Sequence, residues 1–282
     1  ILIIMTSKIL FTAKTPFAYS FRILVDTLNF YLKKKACFVI NQKGLYLCNT
    51  NEKEDVLCDV YLPSENFQDY KCFRDGDICF SVNIGVFYTE MLKMFKKKDF
   101  LHMLILEEEG KTYLKIIKMT RDSGKESQIA NRIPITESKQ ITVNPPTGYK
   151  TPIPVISSVF TTSCRGITKP TSKQMSIVCY NGNTIVMKAK KDDIVENEVT
   201  LGGTLDETIE PVVTFKCNCS AAYVVRLAKM AASSGMVKMF MEPDLPVYYK
   251  MDLTGLGTVG IYIKTSEQVR SEQDTDNQDE DD

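Results

Sequence analysis

The chain has 282 residues, enough for one large or two medium domains with a sizeable buried core. Its 35 Lys and Arg balance 35 Asp and Glu, but residues 266–282 hold eight acidic residues and one arginine, so residues 1–265 carry a net charge of +7. A basic body suits a polyanionic partner, and no apolar run approaches the length that a membrane-spanning helix needs.

The N-terminal half alternates between strand and helix patterns. Ile9, Phe11 and Ala13 alternate as a first strand, and Thr15-Pro16 is a typical helix start. The later predicted elements are a helix over Pro16–Lys33, a hairpin over Ala36–Asn49, a strand over Asp55–Leu62, an irregular stretch over Pro63–Phe73, a helix over Val86–Phe95, and strands over Phe100–Leu106, Tyr113–Met119 and Gln128–Ile135.

A polar stretch with four prolines, residues 136–154, interrupts this pattern and predicts an extended connector. Ile141 and Val143 are apolar islands within it. After it we predict a helix over Val155–Thr168, a hairpin over Met175–Lys188, strands over Glu198–Gly203 and Val212–Asn218, a helix over Ser220–Ala232, and strands over Met236–Met241, Pro246–Leu253 and Thr258–Ile263.

The order of helix, hairpin, strands, helix and strands thus occurs twice, which predicts two copies of one module with two helices packed on antiparallel sheet, an α+β fold. We expect an N-terminal module at 1–135, the connector at 136–154, a C-terminal module at 155–265 and a disordered acidic tail at 266–282. Residues 1–4 are too short for a signal peptide and are interpreted as a terminal extension.

Catalytic and metal sites are not expected. The nine cysteines include no CxxC pair, most lie in apolar strand runs, and the sole histidine, His102, lies in another such run, so we predict reduced thiols, an intracellular protein and no zinc site or cofactor. The acidic groups Glu107–Glu109 and Asp192-Asp193 fall in predicted turns without histidine partners. Solvated turns explain them better than a nuclease centre does.

The four predicted helices carry basic residues on the faces opposite their apolar stripes. The two acidic residues Asp26 and Glu90 on these faces leave a net charge of +6. The eight basic residues are Arg22, Lys33, Lys93, Lys97, Arg165, Lys169, Arg226 and Lys229. For one helix alone, an ordinary solvated face is the simpler interpretation. Its repetition on four helices favours a phosphate backbone bound without sequence preference.

Several strings resemble the eukaryotic-type sliding clamp family, proliferating cell nuclear antigen (PCNA). They are Ala36-Cys37 before a hairpin with Gly44-Leu45-Tyr46-Leu47, the run Ser64–Cys72, Val82-Asn83 before a helix, Asp244-Leu245-Pro246 followed by Tyr249-Lys250, and Gly257–Tyr262. The resemblance covers about residues 8–265. It implies a DNA-clamp fold, a homotrimeric ring around double-stranded DNA lined by twelve helices, and tethering of DNA polymerase and other replication and repair proteins after a clamp loader has acted.

The resemblance also assigns residues. Lys93 and Lys229 match DNA-facing lysines of the family, and Arg22 and Arg165 match basic positions in its first and third helices. We expect the other four basic residues to face DNA because they lie on the same helix faces. Glu90 lies where the family usually has a lysine, and family members are usually acidic overall. A pocket for a partner motif would be built from Leu57, Ile141, Val143, Pro246 and Tyr262. Thr50 and Glu54 replace a usual methionine and histidine, and the connector is richer in proline than is usual, so the preferred motif and its contacts are expected to differ.

Two strands resemble the subunit edges of the family. Their interface residues would be Gln128, Ile133, Ile135, Val199 and Leu201, and a proline at Ile133 is expected to remove an interchain hydrogen bond. Two related functions stay open, a checkpoint-type clamp assembled as a heterotrimer and a monomeric polymerase accessory. The cellular site, nucleus or cytoplasmic viral factory, is equally open.

Overall fold

A computed structural model describes residues 7–122, 125–139, 143–167, 173–191, 195–203 and 210–279. The chain forms two compact units, each built from several segments. Unit 1 contains residues 1–49, 58–144 and 253–259, and unit 2 contains residues 50–57, 145–252 and 260–282. The terminal residues 1–4 of the sequence prediction lie outside the described ranges.

The described part of unit 1 is built from antiparallel strands, two helices and a short 3₁₀ helix at Ser64–Asn66. They are β1 (Lys8–Thr15), α1 (Ala18–Leu32), β2 (Lys35–Asn41), β3 (Gly44–Thr50), β4 (Val56–Pro63), β5 (Asp69–Cys72), β6 (Ile78–Asn83), α2 (an α-turn at Ile84–Val86 followed by a π-helix at Phe87–Leu92), β7 (Asp99–Glu108), β8 (Lys111–Asp122), β9 (Lys125–Pro134) and β10 (Thr136–Glu137). The strand orders are β5-β1-β7-β8-β9 and β10-β6-β2-β3-β4.

Unit 2 repeats most of this order. Its elements are β11 (Ile153–Ile156), α3 (Ser157–Ile167), β12 (Gln174–Tyr180), β13 (Thr184–Lys191), β14 (Val195–Gly202), β15 (Val213–Ser220), α4 (Ala221–Ala231), β16 (Ser234–Phe240), β17 (Val247–Leu253), β18 (Gly257–Ile263) and α5 (Ser266–Asp279). The strand orders are β14-β13-β12-β15 and β18-β17-β16-β11.

The helices cover the sheets with their apolar stripes. In α1, Phe21, Leu24 and Leu28 are almost fully buried, and in α4 Val224 and Leu227 are fully buried. These positions follow the i, i+3, i+4, i+7 spacing that marks one face of a helix. Burial of each such side chain stabilises the fold by about 1.5–3 kcal/mol. The stripes therefore fix which faces of the helices stay outward.

Helix α2 departs from the predicted regular helix over Val86–Phe95. Its Asn83 side chain accepts a hydrogen bond from the Val86 N–H at 3.0 Å and caps the first turn. The chain then widens into a π-helix, in which the Lys93 N–H donates to the Tyr88 carbonyl at 2.8 Å. Phe87, Met91 and Phe95 remain buried as predicted. Such wide turns are rare and are frequently found at functional sites.

Two boundaries differ from the sequence prediction. The stretch Pro63–Phe73 contains strand β5, because the register of β5 on β1 runs from Phe11↔Cys72 to Lys14↔Asp69. The helix predicted from Val155 begins at Ser157, because β-branched Val155 and Ile156 pair with β16 as part of β11. Pairing with a distant strand decides both cases.

Residues 266–279, predicted to be disordered, form α5. The Thr265 hydroxyl accepts from the Gln268 N–H at 3.2 Å, and the Gln268 carboxamide accepts from the Thr265 N–H at 2.8 Å, which is a capping box. Lys264 pairs with Glu272 at 2.7 Å, and the Asn218 amide donates to Glu267 at 3.1 Å. These local contacts offset the repulsion among the acidic residues of the tail.

Candidate nucleic-acid interface

The helices of unit 1 pack as an antiparallel pair. Close to the end of α2, the Arg22 guanidinium donates to the Phe95 carbonyl at 2.7 Å. At the other end of α2, Gly85 lies beside Asn29, so that a Cβ at Gly85 would approach the Asn29 side chain to 3.4 Å. Phe21 and Phe87 meet edge to face at 6.4 Å between ring centroids. The outward faces of both helices are thereby held side by side.

The sequence-predicted basic residues of unit 1 fall into two classes. Lys33, Lys93 and Lys97 are exposed. Arg22 is half-buried, because it caps α2 and its guanidinium lies 5.3 Å from the centroid of the Tyr19 ring. Asp26, which the sequence placed on the same outward stripe, is only 7% exposed and belongs to the buried side of α1. The exposed residues of the two stripes, three lysines and Glu90, therefore keep the net charge of +2 that the sequence predicted for this unit.

Helices α3 and α4 of unit 2 also pack antiparallel. The Thr161 hydroxyl donates to the Ala228 carbonyl at 3.3 Å, and the Cys164 thiol lies 4.0 Å from the Val224 carbonyl. Arg165 and Lys229 are exposed on the outward faces of this pair.

The other two predicted basic residues of unit 2 are not observed as exposed residues. Arg226 is half-buried. Lys169 lies outside the described residues.

A buried ion pair, which the sequence patterns did not reveal, fixes the chain just after α2. Asp99 is 2% exposed, and its carboxylate lies 3.2 Å from the Lys118 ammonium. It also accepts from the Lys96 N–H at 2.6 Å and from the Thr120 hydroxyl at 2.7 Å. Burial alone would raise the pKa of Asp99, but these three donors outweigh it and hold that pKa below its usual value.

Carbonyls near the end of α2 are likewise satisfied by side chains from elsewhere in unit 1. The Asn131 amide donates to the Glu90 carbonyl at 2.8 Å, and the Lys118 ammonium donates to the Met94 carbonyl at 3.2 Å. With Arg22 on Phe95, three separate elements thus hold the helix end. Long-range contacts of this kind have no signal in the local sequence.

The two strands predicted to form subunit edges are edge strands in their own units: β9 ends the sheet of β8 and β7, and β14 ends the sheet of β13 and β12. The Ile135 N–H donates to the Thr112 carbonyl at 3.0 Å. Because bonding alternates along an antiparallel pair, the Ile133 N–H also points to β8, whereas the N–H groups of Gln128, Ala130 and Arg132 point outward.

This register corrects part of the predicted interface. A proline at Ile133 would break a bond to β8 and not an interchain bond. In β14, the Gly203 N–H donates to Asn183, so the backbone groups of Val199 and Leu201 point to β13. Ile135 and Leu201 are also buried within their own units, at 8% and 2% exposure. Of the predicted interface residues, only Gln128 combines an exposed side chain with outward backbone groups.

The residues of the predicted partner pocket lie in both units. In unit 1, Val143 is half-buried and its carbonyl accepts from the Cys48 thiol at 3.4 Å. In unit 2, Leu57 and Tyr262 are buried. Ile141 lies outside the described residues.

An aromatic cluster that the sequence did not predict organises the pocket residues of unit 2. The Tyr149 hydroxyl donates to the Pro246 carbonyl at 2.7 Å. The Tyr149 ring packs 6.0 Å from Tyr262, which stacks on Tyr248 at 4.1 Å. Burial, with a smaller contribution from Tyr248, raises the pKa of Tyr149. Its hydroxyl therefore stays protonated and able to donate at neutral pH.

Groups that could support catalysis are dispersed. No group of three or more His, Cys, Asp or Glu side chains that could hold a metal ion occurs among the described residues, and Asp192-Asp193 lie outside them. Glu108 forms an ion pair with Arg132 at 2.7 Å. All nine cysteines are free, and burial raises the pKa of Cys164 to about 12, which keeps that thiol protonated.

A comparison with known protein families finds a match to the N-terminal part of the chain. Residues 10–134, which hold nearly all of β1 to β9 together with α1 and α2, match the family described as proliferating cell nuclear antigen, N-terminal domain. A comparison with curated proteins finds no match. No helix within the described ranges is both long and apolar enough to cross a membrane. Residues 10–134 of the chain thus form a PCNA-like domain of the sliding clamp family.

Proposed function

We propose that the protein is a homotrimeric sliding clamp that encircles duplex DNA and holds DNA polymerase and other replication proteins on it. The observation that carries this proposal is the outward basic face of each antiparallel helix pair, with Lys33, Lys93 and Lys97 exposed in unit 1 and Arg165 and Lys229 in unit 2. Exposed basic side chains at repeated positions suit binding to the phosphate backbone without sequence preference. Four such helices in each of three subunits would line the hole.

The topology of the two units supports the repeated module. Setting aside β5, β10 and α5, both units run strand, helix, four strands, helix, three strands. Equivalent strands pair in the same order, with β6-β2-β3-β4 matched by β15-β12-β13-β14 and β1-β7-β8-β9 by β11-β16-β17-β18. With two similar modules per chain, a closed trimer would be a ring of six similar modules.

Assembly would use the two edges. The outward N–H and C=O groups of β9 are available for pairing with another chain, as are those of Glu198 and Thr200 in β14. One edge in each unit permits head-to-tail joining, which closes when the rotation suits a ring. Native mass spectrometry of the purified chain at roughly tens of micromolar tests this step. A trimer supports the proposal, whereas a monomer there favours a heterotrimeric clamp or a monomeric accessory.

The DNA-facing assignment is tested by replacing Lys93 and Lys229 with alanine. Both side chains are exposed, so their loss should barely change stability. We expect weaker DNA binding and lower polymerase processivity. The matched control replaces Lys8 and Lys216, which are also exposed, one in each unit, but lie on strands. Equal behaviour of the two double variants would contradict the inward orientation of the helix faces.

Partners would dock through a short motif with apolar and aromatic anchors, bound near the connector. The half-buried Val143, an apolar residue within the connector, supports this proposal. Tyr262 is too deeply packed to truncate safely, so the test uses Val143→Ala with Asn144→Ala, an exposed neighbour, as control. A labelled motif peptide should bind the first variant several-fold more weakly. Equal binding to both would remove Val143 from the pocket.

A further inference from the structure

Four lysines crowd the end of α2. Lys93, Lys96, Lys97 and Lys98 are all exposed, and among the described residues no carboxylate lies within ion-pair distance of any of them. Only Lys93 and Lys97 belong to the basic stripe predicted from the helical spacing. Neighbouring exposed cations repel one another weakly in water, and a bound anion would remove this repulsion.

The backbone of the turn Lys96–Lys98 is held rigidly. Asp99 accepts from the Lys96 N–H at 2.6 Å, and the Asp99 N–H donates to the Lys96 carbonyl at 3.1 Å. Lys118 ties the Asp99 carboxylate to the Met94 carbonyl, each at 3.2 Å. The buried acid thus binds main chain and Lys118, and leaves the ammonium groups of the turn to solvent. Because the backbone of the turn is already ordered, binding an anion there costs only the entropy of the lysine side chains.

The equivalent position in unit 2 lacks this cluster. Helix α4 ends at Ala231 and is followed by Ala232 and Ser233 before β16, with no basic residue in the turn. The difference means that one unit of each chain presents far more positive charge at its helix end. A ring built from such chains would have three strong basic positions and three weak ones.

We propose that the turn Lys96–Lys98 is a phosphate-binding element for the backbone of duplex DNA, positioned by Asp99, and that it makes unit 1 the stronger DNA-holding half of each chain. The inference rests on the proposed function, since it names further residues that contact the same partner. Phosphodiester groups suit it because they offer a regular row of single negative charges. The row matches several adjacent lysines better than one isolated anion would.

Salt-dependent binding to a fluorescent duplex tests the element. The variant K96Q/K97Q/K98Q should bind more weakly than wild type, and the slope of log K against log salt should fall by about 0.9 for each phosphate that the variant no longer neutralises. The control K8Q/K43Q/K111Q removes the same charge from exposed positions elsewhere in unit 1. Equally weakened binding by the two variants would overturn the inference. Absence of duplex binding by wild type itself would instead reject the proposed function.

The substitution Asp99→Asn tests whether Asp99 positions the turn Lys96–Lys98, because its two consequences have opposite effects on DNA affinity. Asp99→Asn removes a negative charge, so long-range electrostatics alone would tighten DNA binding. Loss of the fixed turn would weaken it. Thr120→Val removes one hydrogen bond to the same carboxylate without changing charge, and serves where Asp99→Asn folds poorly, as checked by circular dichroism. Weaker binding by the folded variants supports positioning, and unchanged or tighter binding excludes it.

Discussion

A proline in the outward register of β9 gives the sharpest test of how the chains would join. Ala130 is exposed and its N–H points away from β8, so Ala130→Pro removes a donor from the proposed seam and no bond from the sheet. Pro134 already occupies the same register, which shows that the edge tolerates proline there. The monomer should therefore keep its fold.

The expected effect follows from the number of seams. One net hydrogen bond is worth about 1 kcal/mol, so three seams lose about 3 kcal/mol, a drop of about 10²-fold in the trimer association constant. Sedimentation over a concentration series measures this shift. Ala130→Ser, which keeps the N–H, is the matched control. If the proline and serine variants associate equally, β9 does not join chains through its backbone.

The remaining predictions concern stability. Asp99→Asn strands the Lys118 ammonium in a buried site and should lower the free energy of unfolding by about 3–5 kcal/mol at pH 7, as denaturant unfolding would measure. Folding lowers the pKa of Asp99, so its stabilising contribution is present above about pH 3.9 and is lost as the pH falls through the folded pKa. The free energies of unfolding of wild type and Asp99→Asn should therefore converge in acid. Burial, then Lys14, lowers the pKa of His102, so wild-type stability should fall as pH drops below about 6.5, and His102→Gln should flatten that decline. Tyr149→Phe should cost about 1 kcal/mol because the hydrogen bond to Pro246 is removed, and an unchanged unfolding curve would show that this bond adds nothing to stability.

The sequence predicted the elements whose patterns are local. The hairpin over Met175–Lys188 forms as expected, with Asn181 and Gly182 both at positive φ in the turn. The apolar stripe of α1 also holds, because helical spacing directly marks the buried face. The exposure of Lys93 and Lys229 followed from the same spacing.

Tertiary contacts explain what the sequence did not predict. Side chains from distant segments hold α2 and the chain just after it, because Asn131, Lys118 and Arg22 donate to the carbonyls of Glu90, Met94 and Phe95. The polarity of Asp26 predicted a position on the outward stripe of α1, but the residue is buried. Whether the Ile133 N–H points to β8 or away from it depends on the register of β9 on β8. The alternation of side chains in the sequence does not determine that register.

Topological retention on DNA tests encirclement most directly. The labelled protein is assembled on linear duplex DNA, the ends of half the molecules are capped with streptavidin, and salt is raised until electrostatic contacts are screened. A closed ring should remain on the capped DNA and slide off the uncapped DNA. Equal release from both would contradict encirclement, and the basic faces of the helices would then describe an ordinary surface DNA-binding protein.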